Sequence, residues 1–272
     1  VARFDLNNVE TSIVCHGGVT ISVQTNLFFD IRNGAGVSFM GYQYKPTESA
    51  TLAGASQMPG AAIISQDQAI FKINGTAGKI SVSLHNIALI TKTAAPAIEN
   101  SIFDVTTQNL EQLRVLIDNC MVSIDDIVAG LWYTRALASR TIFEMYDTAV
   151  WHQGVCLVFD DPTNPASQLY YKLRGCTFTS AQSPAGGVFG HISTTLAGSQ
   201  NCFGTLSGNG FYDTNSLGAV YVHYNSTALL GNIDAYSPNI TTSSGLLNMN
   251  YLTPGITLLS GQPLNDPQFY TG

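Results

Sequence analysis

A six-residue pattern that returns along the middle of the chain constrains the fold more than any other feature of the sequence. It reads apolar, any, turn residue, small or apolar, any, often apolar. Its copies are Leu84–Leu89, Ile117–Val122, Met145–Val150, Leu173–Phe178, Leu206–Phe211 and Leu230–Ala235, separated by steps of 33, 28, 28, 33 and 24 residues. A recurrence in that range denotes stacked structural units. The third position holds Asn86, Asn119, Asp147, Gly175, Gly208 and Asn232, the residue types that enter the left-handed backbone region at least cost. One left-handed residue bends a strand sharply. The apolar positions before and after it can then both face inward, which strict alternation forbids across an odd spacing. Stacking would bring the asparagines into register as a ladder.

Stepping back fourteen residues from the first position of each of the first five copies lands on Ile70, Phe103, Leu131, Phe159 and Ile192, all apolar, which supplies a second strand per unit. The sixth copy breaks this spacing at Ser216, but Ala219–His223 offers a strand a few residues later. A helix over Ser123–Ala138, with Ser123 and Asp126 in a capping pattern, competes locally; the strand reading is preferred because it keeps Leu131 in register. The expected fold is all-β, a parallel β-helix of three-strand coils with an Asn/Gly bend ladder. Residues 63–235 form its centre. Residues 1–62 are expected to form N-terminal coils and a cap. Residues 236–272, with Pro238, Pro254, Pro263 and Pro267, suit a cap or linker, since open strand edges need shielding.

Three strands per coil with an asparagine ladder at one tight bend resemble the pectate-lyase-like superfamily of right-handed parallel β-helices. The resemblance covers about Ile63 to Asp234 and is nearest to phage tailspike and tail-fibre modules. It implies right-handedness, which the spacing does not show, and leaves function open because lyases, hydrolases, adhesins and tailspikes share the fold. The chain lacks the Asn-Thr-Asp and Gly-His-Gly signatures of a polygalacturonase and the arginine motif of a pectate lyase.

Charged residues make up only 11% of the chain, against about 25% in ordinary soluble domains, so the surface is built mostly from Ser, Thr, Asn, Gln and Gly. A net charge of -7 and a pI near 5.0 argue against a nucleic-acid partner, which requires clustered cations. There is no apolar run of membrane-spanning length, and Val1-Ala2-Arg3-Phe4-Asp5 does not read as a secretory signal. Cys15, Cys120, Cys156, Cys176 and Cys202 form no CxxC pair and no zinc-like spacing. They read as free, partly buried thiols, and no metal or other cofactor is expected.

In the second strand, the residue after each inward position should face solvent, which stacks Phe71, Asp104, Trp132, Asp160 and Ser193 along one outer face, with His191 beside them. An indole offers a sugar its apolar face, while carboxylates accept hydroxyl hydrogen bonds or transfer protons. Trp132, Asp104, Asp160 and His191 are therefore the candidate glycan-binding residues. In an enzyme, Asp104 and Asp160 would be the acid and base, two coils or about 9.5 Å apart, at the upper end of the inverting range of about 6.5 to 9.5 Å. The adjacent pairs Asp125-Asp126 and Asp160-Asp161 also read as turn formers. A second outward column, His85, Asp118, Tyr146 and Arg174 with Glu144 and Lys172 beside it, should pair opposite charges across coils.

These readings lead to an expected spike or fibre protein on a virion surface that presents or binds a cell-surface polysaccharide, with other virion proteins as partners. The resemblance and the lightly charged surface imply a homotrimer. The alternatives are a polysaccharide depolymerase, an inverting hydrolase or lyase, and a secreted β-helical adhesin.

Overall fold

A computed structural model describes residues 4–15, 20–23, 28–41, 61–107, 109–161, 164, 166–180, 189–196, 202–213, 220–225, 232–236, 240–243 and 257–258. The described chain is a parallel β-solenoid. Each coil adds one strand to each of three parallel sheets, which hold eight, nine and eight strands. One coil shows the plan: Phe103–Thr106 lies in the first sheet, Gln112–Asp118 in the second and Met121–Asp125 in the third. The segment considered as a helix forms the strands Met121–Asp125 and Trp132–Ala136. The described helical structure is confined to a single short turn at Ile98–Asn100.

The bend between the second and third sheets follows the repeat. Asn86, Asn119, Asp147, Gly175 and Gly208 all have left-handed φ, at 56°, 48°, 44°, 66° and 62°. Leu84, Ile117, Met145, Leu173 and Leu206 precede them in direct register and are fully buried. The ladder starts as expected, with Asn119 Nδ2 donating to Asn86 Oδ1 at 2.6 Å. The residue after the bend points inward as Ile87, Cys120, Thr148, Cys176 and Asn209. Where that residue is polar, it supplies hydrogen bonds that the bent backbone lacks. Thr148 Oγ1 accepts from the Cys120 amide, and Asn209 Oδ1 accepts from the Cys176 amide.

The sixth copy of the repeat is out of register. Leu206 pairs with Ala235 and Phe203 with Asn232, so Asn232 lies inside the strand Asn232–Tyr236 and not at the bend. Leu230 lies outside the described residues. The short final step of 24 residues reflects this misalignment.

Aromatic side chains fill the interior beneath the first sheet. Phe29, Phe71, Phe103, Trp132 and Leu157 succeed one another there in register, with the exposed Phe4 stacked on Phe29, and neighbouring rings lie 4.8 to 5.6 Å apart from Phe4 to Trp132. The corner leading into this sheet has a property that alternation does not foresee: two consecutive residues are buried there. The pairs are Ile70-Phe71, Ile102-Phe103, Leu131-Trp132, Cys156-Leu157 and His191-Ile192. A corner turns the chain through the gap between two sheets, so the residue at the turn and the first strand residue both look inward. The fourteen-residue step therefore finds buried residues in every coil. It does not find one register.

Candidate functional site

The corner doublets overturn two of the expected site residues. Trp132 is the inward member of its strand and is fully buried. Its ring packs 5.6 Å from Phe103 and 5.2 Å from Phe143, and its indole N–H donates to the buried Thr134 hydroxyl. Its role as a sugar platform is withdrawn. His191 is also fully buried, and its ring meets His152 inside the molecule, with Nδ1 2.8 Å from His152 Nε2.

The face itself survives with a different aromatic. Asp104 pairs in register with Lys72 on one side and with Tyr133 on the other, so Tyr133, one residue beyond Trp132, takes the outward place. Asp104 and Tyr133 are both partly exposed. Arg135, at the register shift of its strand, reaches back to this group. Its guanidinium lies 3.5 Å from Asp104 Oδ2, 3.4 Å from Glu99 Oε1 and 5.7 Å from the centre of the Tyr133 ring. The side chain of Asp104 is 15% exposed. Its Oδ1 is buried and accepts no hydrogen bond. Burial raises the Asp104 pKa above the ordinary carboxylate range, although Arg135 and Lys72 pull against it. Burial also raises the Tyr133 hydroxyl, with Arg135 opposing and Asp160, Glu99 and Asp104 adding to it. The arrangement offers a sugar a partly exposed carboxylate, a phenol and a guanidinium.

Asp160 also faces outward and is partly exposed, but it is not directly in line with Asp104. Asp104 aligns through Tyr133 with Val158, and Asp160 stands two residues farther along the strand. Two coils across and two residues along separate their backbones by about 12 Å. The in-line spacing of about 9.5 Å that suggested an inverting pair is therefore not present. The neighbours of these acids are structural. Asp161 accepts from the Leu137 amide and the Ser167 hydroxyl, and Asp126 accepts from the Val128 and Ala129 amides.

The second sheet bears the expected outward column of His85, Asp118, Tyr146 and Arg174. His85 Nδ1 lies 3.3 Å from Asp118. Glu144 is bound by Arg114 at 2.7 Å in place of its register neighbour Lys172, which lies over the Tyr146 ring. The third sheet holds the residue that sequence reasoning missed. Trp151 follows the inward Val150 and faces outward, partly exposed. Alternation after the last position of the repeat was a sufficient signal for it. Among the described residues, no group of three His, Cys, Asp or Glu side chains could hold a metal ion.

Comparison with protein-family models, with curated proteins and with solved structures gives no match.

Proposed function

We propose that this chain is a β-helical surface protein that binds a cell-surface glycan over the outer face of its first sheet, at Asp104, Tyr133 and Arg135 with Asp160 at the margin. The observation that carries the reading is the Asp104 carboxylate. Its side chain is partly exposed, with Oδ2 3.5 Å from Arg135 and a partly exposed phenol beside it, and a carboxylate, a phenol and a guanidinium that solvent can reach are matched by sugar hydroxyls. In this proposal the carrier is a virion spike or fibre of the pectate-lyase-like, tailspike-related kind, assembled with copies of itself and other virion proteins; a secreted adhesin would use the same face. Binding is favoured over depolymerisation because Asp104 and Asp160 are offset along the strand.

The test is a glycan array with the whole chain, followed by calorimetric titration of the best ligand against wild type, Asp104→Asn and Tyr133→Ala. A charged hydrogen bond contributes about 1.5 to 3 kcal/mol, so Asp104→Asn is expected to weaken binding by about 10-fold to 150-fold. Unchanged affinity in both variants would remove this face from consideration. Release of shortened glycan by wild type, lost in Asp104→Asn, would replace binding with hydrolysis.

A further inference from the structure

The outer face of the third sheet differs in kind from the other two. Strand register places two outward columns on it. One runs Thr20, Ala62, Ala88, Met121, Ala149 and Thr177, and the other Ser22, Ile64, Ile90, Ser123, Trp151 and Thr179. Not one of these positions is Asp, Glu, Lys, Arg or His. The first sheet, by contrast, carries Asp30, Lys72, Asp104, Arg135 and Asp160. The second carries Lys79, Arg114, Arg140, Lys172 and Arg174, five of the eleven Lys and Arg in the chain. These two columns are free of charge over six strands, with Lys92 and Asp125 confined to the strand ends beside them, and low overall charge does not account for that, since the other two sheets are charged. Ile64, Ile90, Met121 and Trp151 are partly exposed on it, and contiguous exposed apolar surface marks an interaction site.

We infer that this face packs against the same face of a second copy of the chain. Three observations select that occupant. The two columns of this face carry no charged residue, so a second copy meets them without bringing like charges together. The two columns run in unbroken register over six strands, a surface of the kind used in sheet-on-sheet packing, and it can serve both partners of a twofold pair. Its rim carries Lys92 beside Asp125, in register on neighbouring strands, so a twofold axis along the strand direction sets opposite charges against each other. This inference goes beyond the glycan reading and does not depend on it, since the two use different sheets.

The axis that pairs these charges superposes six strands, which at about 4.8 Å per strand and about 3.3 Å for each of four residues give a footprint of about 380 Å². That falls below the roughly 800 Å² per partner of a standard interface and matches weak, reversible association. The experiment is sedimentation equilibrium of the full chain from about 1 to about 100 µM, bracketing micromolar affinity, with wild type, the double variant Ile64→Lys and Ile90→Lys, and Trp151→Arg. Ile142→Lys, on the second sheet, is the control. Wild type and the control are expected to gain mass with concentration. The third-sheet variants should stay monomeric, with unchanged circular dichroism and an unfolding midpoint showing that the coil is intact. If the third-sheet variants unfold, cross-linking of the chain through cysteines placed at Ala62 and Ala149, which the axis sets opposite each other, decides, and intermolecular disulfides there are expected. A wild type that stays monomeric throughout overturns the inference. So does an assembly that survives the introduced charges. Loss of glycan binding in Trp151→Arg from a monomeric wild type would assign the face to a sugar.

Discussion

The buried histidines His152 and His191 give the protein a calculable sensitivity to acid. His152 ends the strand Ala149–His152, and its Nδ1 lies 2.7 Å from the Gly154 carbonyl. A carbonyl only accepts, so Nδ1 carries the proton and Nε2 accepts from His191 Nδ1–H. Both rings are neutral in this arrangement and both are fully buried. Burial lowers the His152 pKa to about 4 and that of His191 well below its ordinary value. In the unfolded chain each is near 6.5, so below that pH the unfolded state binds more protons than the native state. The stabilisation is complete above about pH 6.5 and is lost as pH falls toward the folded values. For His152 alone the span from about 6.5 to about 4 is worth about 3 kcal/mol, a large part of the roughly 5 to 15 kcal/mol that holds a domain together, and His191 acts in the same direction. Urea unfolding of wild type and His152→Gln between about pH 7 and about pH 4.5 isolates this contribution, because the carboxylates titrate alike in both proteins. The variant's stability should fall less steeply by about one proton, or about 1.4 kcal/mol per pH unit. Parallel profiles would show that His152 is not a buried neutral imidazole.

Two further outcomes test the bend. At Gly175→Ala the new Cβ would collide with Asp147 Oδ1, on a residue with φ of +66°, and a loss of at least about 1 to 2 kcal/mol is expected by chemical denaturation; a neutral change would contradict the left-handed bend. Burial raises the Cys120 thiol to about 11 and Cys176 to about 12. Both should resist iodoacetamide in the native protein at mildly alkaline pH and react on unfolding, and fast native modification followed by mass spectrometry would refute their burial.

The solenoid was legible because the left-handed position admits so few residue types. Asn86, Asn119, Asp147, Gly175 and Gly208 aligned the coils, and each alignment is matched by strand register. Asn232 failed because Asn is also common away from bends, and a single copy of a loose pattern carries no register of its own. The candidate face was half legible. Asp104 and Asp160 do point outward, but the indole assigned between them does not. Hydrophobicity could not distinguish Leu131 from Trp132 as the inward residue, since at the corner both are inward. The same geometry hid His191. Trp151 is the opposite case: it lies in a regular strand, where simple alternation after the inward Val150 is enough to place it outward.

The central claim is that coil register alone decides which side chains meet solvent, burying Trp132 and leaving its neighbour Tyr133, beside Asp104, to meet a ligand. Acrylamide quenching of single-tryptophan variants tests it directly, because Trp132 and Trp151 are the only two tryptophans in the chain. With Trp151→Phe, the remaining Trp132 should emit at short wavelength and resist the quencher until the protein unfolds. With Trp132→Phe, the remaining Trp151 should emit at longer wavelength and be quenched readily in dilute native protein. Efficient quenching of Trp132 in the folded chain would contradict the register and return the indole to the outer face.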